Sequence, residues 1–216
     1  SLLPQIVTVI GMGFILPLVA FPALYYLGRF SRVDAASIAA HYGSVSVGTF
    51  AVALAYLSSQ QVAYEAYMPL FVVLLEMPAI VVGIVLARGL PDKKQLSQMS
   101  REVFLGKSVT LLVGGLLIGW LAGEEGMGSV APLFFGLFKG VLALFLLEMG
   151  LICAMQLGSL RRHGVFLALF GVVMPVVAGA LGAIAGVLLG LSLGGTTILA
   201  TLTASASYIA VPAAMR

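Results

Sequence analysis

The sequence predicts an all-α integral membrane protein built around an inverted repeat. Three observations lead to this fold class: an apolar composition, seven long apolar stretches, and two short motifs that each occur twice. Of the 216 residues, 61% are hydrophobic and only 9% are charged, with a mean hydropathy of +1.15. Soluble domains carry about 25% charged residues. The composition therefore excludes a soluble enzyme, a nucleic-acid-binding protein and a disulfide-stapled secreted domain.

Seven apolar stretches are long enough to cross a bilayer. A hydrocarbon core about 30 Å thick needs roughly 20 apolar residues per helix. None of the stretches alternates apolar and polar residues, as a strand of a membrane barrel does. We name the predicted helical segments A (5–27), B (35–57), C (66–87), D (107–122), E (130–157), F (165–191) and G (194–215).

The basic residues predict how the segments are oriented. If the segments alternate in direction, ten of the 11 Lys and Arg residues fall on one side of the membrane. The loops of the other side carry Glu65, Glu124 and Glu125 and neither Lys nor Arg. Because Lys and Arg accumulate in cytoplasmic loops, we expect the A–B, C–D and E–F loops inside and Ser1 outside. This topology also explains the net charge of +3 without a nucleic-acid partner.

Two motifs recur in the first and last segments. Gly-x-x-x-Pro occurs at residues 13–17 in segment A and again at 171–175 in segment F. The run Gly43-Ser44-Val45-Ser46 in segment B is matched, 161 positions later, by Ala204-Ser205-Ala206-Ser207 in segment G. The matched segments run in opposite directions, which is the inverted repeat found in many secondary transporters.

The repeat predicts how the chain is organised. If A pairs with F and B with G, the full arrangement has two repeats of five helices, of which seven helices are present. Two further helices are then expected before Ser1, where the chain starts with Ser rather than Met, and one after Arg216. Residues 1–90 would form three helices of the first repeat, 91–102 a cytoplasmic linker, and 103–216 four helices of the second repeat.

Small and hydroxyl-bearing residues cluster midway along segments B and G. In B they lie between His41 and Thr49, and in G the corresponding stretch runs from Thr201 through Tyr208 to Pro212. A broken helix there would present free N–H groups that suit an anion. It would also present carbonyl and hydroxyl oxygens that suit sodium. The alternative is that the small residues only allow close helix packing.

Four ionisable residues lie inside the predicted segments. Glu76, which precedes Met77-Pro78, is either a cation ligand or proton carrier, or a carboxyl bonded to a nearby hydroxyl. We expect Lys139 to extend toward the outer surface, and Glu148 to face a cavity or another helix. His41 is either a packed neutral side chain or a pH sensor. The sequence contains no nucleophile elbow, phosphate loop or paired Cys/His spacing, so we expect neither an enzyme nor a cofactor other than sodium.

Several motifs together resemble those of the sodium-dependent bicarbonate transporter superfamily, in particular its uncharacterised bacterial branch. The resemblance covers essentially the whole chain. The motifs that carry it are Val33-Asp34-Ala35-Ala36, Tyr42-Gly43-Ser44-Val45-Ser46, Tyr64-Glu65-Ala66-Tyr67, Glu76-Met77-Pro78-Ala79 and Ala204-Ser205-Ala206-Ser207-Tyr208-Ile209-Ala210-Val211-Pro212. The family fold implied is ten helices in two inverted five-helix repeats, in the bacterial inner membrane.

The resemblance also implies site residues, a coupling ion and partners. The anion site would lie where the broken segments B and G cross, and sodium would bind close by. The implied anion-binding residues are Gly43, Ser44, Ser46, Gly48, Thr49, Ser205 and Ser207, and the implied ion-binding residues are Thr203, Ser205, Tyr208 and Glu76. Cyanobacterial members imply a homotrimer regulated by a PII-like protein. Tyr208 stands where those members have a carboxylate. The alternatives are a proton-coupled carrier that uses Glu76 or His41, and a membrane receptor or sensor that binds a ligand without moving it across the membrane.

Overall fold

The computed structural model describes residues 2–89 and 107–207, and within them the chain is helical with no strand. The helices are α1 (Leu3–Pro22), α2 (Arg32–Gly43), α3 (Val47–Ser59), α4 (Met68–Arg88), α5 (Lys107–Gly128), α6 (Phe138–Leu188) and α7 (Leu193–Ala204). A short π-helical turn, Ala23–Leu27, follows α1, and another, Pro132–Gly136, precedes α6. The all-α membrane fold class is confirmed.

All seven predicted segments contain apolar helix. Five helical stretches in the described part are long and apolar enough to cross a membrane, and two shorter ones, Val113–Gly123 and Leu193–Ala204, correspond to segments D and G. The five are Leu3–Leu27, Arg32–Ser59, Met68–Arg88, Pro132–Met155 and Gly164–Leu188. The predicted linker at 91–102 lies outside the described residues.

Glycine marks two of the predicted segment boundaries. The backbone is non-helical at Gly123 (φ 61°, ψ −171°), one residue past the predicted end of segment D. It is non-helical again at Gly164 (φ 74°, ψ −176°), between predicted segments E and F, so that α6 consists of two helices joined at a sharp bend. Positive φ is readily adopted only by glycine, so a single residue turns the chain at each of these breaks.

Small residues bring α1, α2 and α4 into close contact. A Cβ atom on Gly83 would lie 2.4 Å from the Cβ of Ala40, and one on Gly43 would lie 2.1 Å from Cγ of Pro17. Helices that touch at glycine approach more closely than larger side chains allow. At these positions the small residues therefore do allow close helix packing, and this holds whether or not the region also binds a ligand.

The last helix, α7, packs along the second half of α6. Gly182 and Gly186 of α6 face Thr203 and Thr196 of α7, leaving no space for a Cβ atom. One apolar cluster joins α1, α3, α4 and α7, and a second joins α1 and α2 to the second half of α6. In contrast, none of the most apolar stretch of Pro132–Met155 is buried. The core therefore surrounds α2, α3 and α7, which carry the predicted site.

Candidate functional site

The chain leaves helical geometry for three residues, Ser44 to Ser46, between α2 and α3. The backbone of Ser44 is extended (φ −94°, ψ −177°), so it ends α2. Ser46 then begins α3, since its Oγ accepts a hydrogen bond from the N–H of Thr49 at 3.1 Å. A hydroxyl in this position pairs one of the N–H groups that the first helical turn leaves free. The predicted interruption of segment B is confirmed and falls at the serines.

The second interruption follows α7 and resembles the first. α2 and α7 each have 12 residues, and each ends in an extended serine, Ser44 or Ser205 (φ −80°, ψ 169°). Each also begins after a serine whose hydroxyl accepts a backbone N–H, namely Ser31 and Ser192. All these pairs have the same 161-residue spacing. The likeness supports the repeat, while its inverted orientation in the membrane stays a prediction.

The two interruptions are hydrogen-bonded to each other. The N–H of Ser46 donates to Oγ of Ser205 at 3.0 Å, and the N–H of Ser207 donates to the carbonyl of His41 at 2.9 Å. The His41 ring returns a bond from Nδ1 to the carbonyl of Ser207, so Nδ1 carries the proton because a carbonyl only accepts. Four residues thus meet at one point, in pairs that are 159 and 166 positions apart along the chain.

The buried polar side chains of the described residues coincide with the predicted site. Six are buried, with exposures between 1% and 7% of their surface. All six had been singled out from the sequence as anion or ion ligands: Ser44, Ser46, Glu76, Thr203, Ser205 and Ser207. Since burying polar groups in an apolar setting costs free energy, the burial of these six side chains favours a functional site.

The helix ends at the crossing carry partial charges of both signs. The amino end of α3 points N–H groups at the crossing, beginning with those of Val47 and Gly48, which have no partner within a helix. The carboxyl ends of α2 and α7 bring carbonyl groups to the same place, where the His41 carbonyl accepts the Ser207 N–H and the Leu202 carbonyl accepts the Ser205 hydroxyl. Donors for an anion and oxygen ligands for a cation therefore lie side by side.

The remaining predicted residues have varied surroundings. Gly43 packs against Pro17, and Gly48 is buried in the first turn of α3. The Thr203 hydroxyl is bonded to the carbonyls of Leu199 and Ala200, at 3.1 and 3.0 Å, within its own helix. Tyr208, together with Pro212, lies outside the described residues.

A contact that the sequence analysis missed holds the amino end of α7. The Glu65 carboxylate accepts the N–H of Ser192 at 2.7 Å and its hydroxyl at 3.0 Å. A Cβ atom on Gly195 would lie 2.0 Å from Glu65 Oε2, so the glycine makes room for the carboxylate. Burial raises the pKa of Glu65, but the bonds from Ser192 outweigh it and hold that pKa below its ordinary value. We call this contact the Glu65 latch. In the sequence, the glycine pair Gly194-Gly195 after a serine was the one feature that could have indicated close packing there.

Comparison with known proteins identifies a family. The family model of the Na⁺-dependent bicarbonate transporter superfamily matches residues 1–216, the whole chain. No curated protein matches the sequence.

Proposed function

We propose that this chain, which belongs to the Na⁺-dependent bicarbonate transporter superfamily, carries bicarbonate into the cell together with sodium. The observation that supports this most is the crossing of two buried helix interruptions, bonded through Ser46 and Ser205. Interrupted helices crossing near the middle of the membrane are the usual substrate sites of inverted-repeat transporters. The proposed protein is a carrier rather than an enzyme.

In this proposal the anion binds at the amino end of α3. A bicarbonate ion would accept hydrogen bonds from the N–H groups of Val47 and Gly48, where the helix dipole also favours negative charge. The Ser205 hydroxyl already donates to the carbonyl of Leu202 at 2.7 Å and accepts from Ser46. The N–H of Ser46 precedes these two N–H groups and is bonded to Ser205, so an anion that also accepted it would compete with the Ser205 hydroxyl. Substrate binding would then be linked to the contact between the two interruptions.

Transport then requires that the crossing can separate. The group containing α1, α2 and α4 and the group containing the second half of α6 with α7 share a few hydrogen bonds at the interruptions. Elsewhere the two apolar clusters join them. Rocking of one group against the other about this crossing would expose the anion first to one side and then to the other. If the small residues serve only to let the helices pack closely, these hydrogen bonds would not need to break and re-form.

The test compares serines within and outside the crossing. We expect Ser46→Ala and Ser205→Ala to raise the KM for labelled bicarbonate uptake into proteoliposomes by about 2- to 10-fold. Ser46→Ala removes the hydroxyl that accepts the Thr49 N–H, and Ser205→Ala removes the hydroxyl that accepts the Ser46 N–H and donates to Leu202. Ser59→Ala is the matched control, since Ser59 lies at the exposed end of α3 and bonds only to the carbonyl of Tyr56. Equal KM values in all three variants and the wild type would contradict the proposed site.

Other features of the proposal come from the family resemblance and the charge pattern. We place the protein in the bacterial inner membrane with its basic loops in the cytoplasm. Assembly as a homotrimer and control by a PII-like protein stay predictions.

A further inference from the structure

The 161-residue spacing of the repeat lets each hydrogen bond at the crossing be compared with its counterpart. The N–H of Ser46 donates to Oγ of Ser205 at 3.0 Å. The counterpart of this bond would run from the N–H of Ser207, which matches Ser46, to Oγ of Ser44. The Ser207 N–H instead donates to the carbonyl of His41 at 2.9 Å. The two halves of the crossing are therefore bonded differently.

A second bond is missing at Ser44 for the same reason. The Ser205 hydroxyl donates to the carbonyl of Leu202 at 2.7 Å. The counterpart of that bond would run from the Ser44 hydroxyl to the carbonyl of His41. Because this carbonyl accepts the Ser207 N–H, the two groups that would pair with Ser44 are paired with each other.

The Ser44 hydroxyl is consequently left over. Ser44 is 1% exposed, and its Oγ has no hydrogen-bond partner among the described residues. Burying a hydroxyl without a partner costs free energy, and few buried polar groups of native proteins are left in this state. A ligand that accepts a hydrogen bond from Ser44 would recover that cost.

The His41 side chain accounts for the difference between the two halves. Its Nδ1 donates to the carbonyl of Ser207 while its own carbonyl accepts the Ser207 N–H, so one residue pairs both backbone groups of the other. The position equivalent to His41 in the other half is Leu202, which is 0% exposed and lies in the apolar cluster that joins α1, α3, α4 and α7. A leucine side chain has no polar atom, so only the first half of the repeat makes this contact.

We propose that His41 is a positioning residue: by pairing with both backbone groups of Ser207, it keeps the Ser44 hydroxyl free for the transported anion. The inference rests on the proposed function and adds to it a residue that acts on the anion through another. Ser44 belongs to the same three-residue interruption as Ser46, which begins α3. Its hydroxyl would thus donate to an anion held at the amino end of that helix.

The contact does not depend on the charge of the His41 ring. The neutral form that donates to a carbonyl through Nδ1 carries its proton on that atom, and the doubly protonated form carries one there as well. Protonation at Nε2 therefore leaves the bond to Ser207 intact. In this role His41 positions the chain in both forms, which distinguishes it from a pH sensor.

The test replaces His41 by two residues of similar shape. Asn keeps a side-chain N–H close to the place of Nδ1, whereas Leu, the residue of the other half, fills the space without a donor. We expect His41→Leu to raise the KM for labelled bicarbonate uptake into proteoliposomes by about 3- to 10-fold, the effect of one hydrogen bond. His41→Asn should restore most of the wild-type affinity and keep the wild-type dependence on pH. If His41 only fills space, Leu would restore the affinity and Asn would not.

A double-mutant cycle shows whether His41 acts through Ser44. Ser44→Ala removes the hydroxyl itself and should raise the KM about as much as His41→Leu does. The double variant should be no worse than either single variant, because the same hydroxyl is lost in all three. Effects that multiply in the double variant would overturn the inference, and so would a KM for His41→Leu equal to that of the wild type.

The tautomer of His41 tests the pairing without measuring transport. The chain has two histidines, so His163→Gln leaves His41 as the source of the imidazole ¹⁵N signals in NMR spectra of the labelled protein in detergent. We expect Nδ1 to carry the proton, and a neutral ring protonated only at Nε2 would overturn the inference. Protein that shows the Nδ1 proton but takes up no bicarbonate would refute only the proposed function.

Discussion

At the scale of single residues, the chemical type of a side chain predicted which polar residues are buried, but not which groups they bond to. Hydroxyl groups and a carboxylate inside apolar segments identified all six side chains that are polar and buried in the described part. The sequence could not reveal their partners, because the bond between Ser46 and Ser205 depends on how distant segments pack. For the same reason the Thr203 hydroxyl, expected to bind an ion, could not be recognised as bonded to its own helix.

Close contact at Gly43 allows a first prediction. Its added Cβ atom would lie 2.1 Å from the Pro17 ring, which is held rigidly within α1. Overpacking of this kind costs about 1–3 kcal/mol, so we expect Gly43→Ala to lower the Tm and reduce transport. Gly150→Ala, where nothing lies within 4 Å of the added atom, should leave both unchanged. A Tm for Gly43→Ala equal to that of the control would show that α1 and α2 separate easily.

At the scale of elements, the sequence located the helices and the break between E and F, but not the geometry of that break. Apolar length identified all seven segments because the bilayer sets that length directly. The predicted break between E and F falls at Gly164, where the backbone is non-helical (φ 74°, ψ −176°). A run containing Arg161 and Arg162 predicts a polar connection by composition, but it cannot show that one glycine with positive φ turns the chain there.

The Glu65 latch gives a prediction about pH. Because the folded pKa of Glu65 is lowered from its ordinary value of 4.5, the latch stabilises the fold above that value. Its contribution is lost as the pH falls through the folded pKa. We expect Glu65→Gln to melt earlier than the wild type near pH 7, with the difference shrinking below about pH 4.

The control for the latch is another exposed glutamate. Glu125→Gln removes a carboxyl from α5 and should leave the Tm unchanged at each pH. A difference between Glu65→Gln and the wild type that stayed the same at low and neutral pH would mean that the carboxylate charge does not hold α7.

At the scale of the whole molecule, the features that a transporter needs lie at one level of the fold. The interruptions after α2 and α7 cross there, helix ends of both polarities meet there, and Glu76 is buried nearby. Composition and charge predicted a multi-pass membrane protein, and the family match agrees. The relation between the repeats could be suggested from spacing but not established, since direction across the membrane is a property of the assembled protein in its bilayer.

The central claim is that sodium drives the movement of bicarbonate through this crossing. The most direct measurement is accumulation of labelled bicarbonate in proteoliposomes that start with equal bicarbonate on both sides and an inward sodium gradient. We predict accumulation above the starting level, its collapse when sodium is equalised, and its loss in Glu76→Gln. Bicarbonate that never exceeds the level in empty vesicles, or that accumulates equally with potassium in place of sodium, would contradict the account.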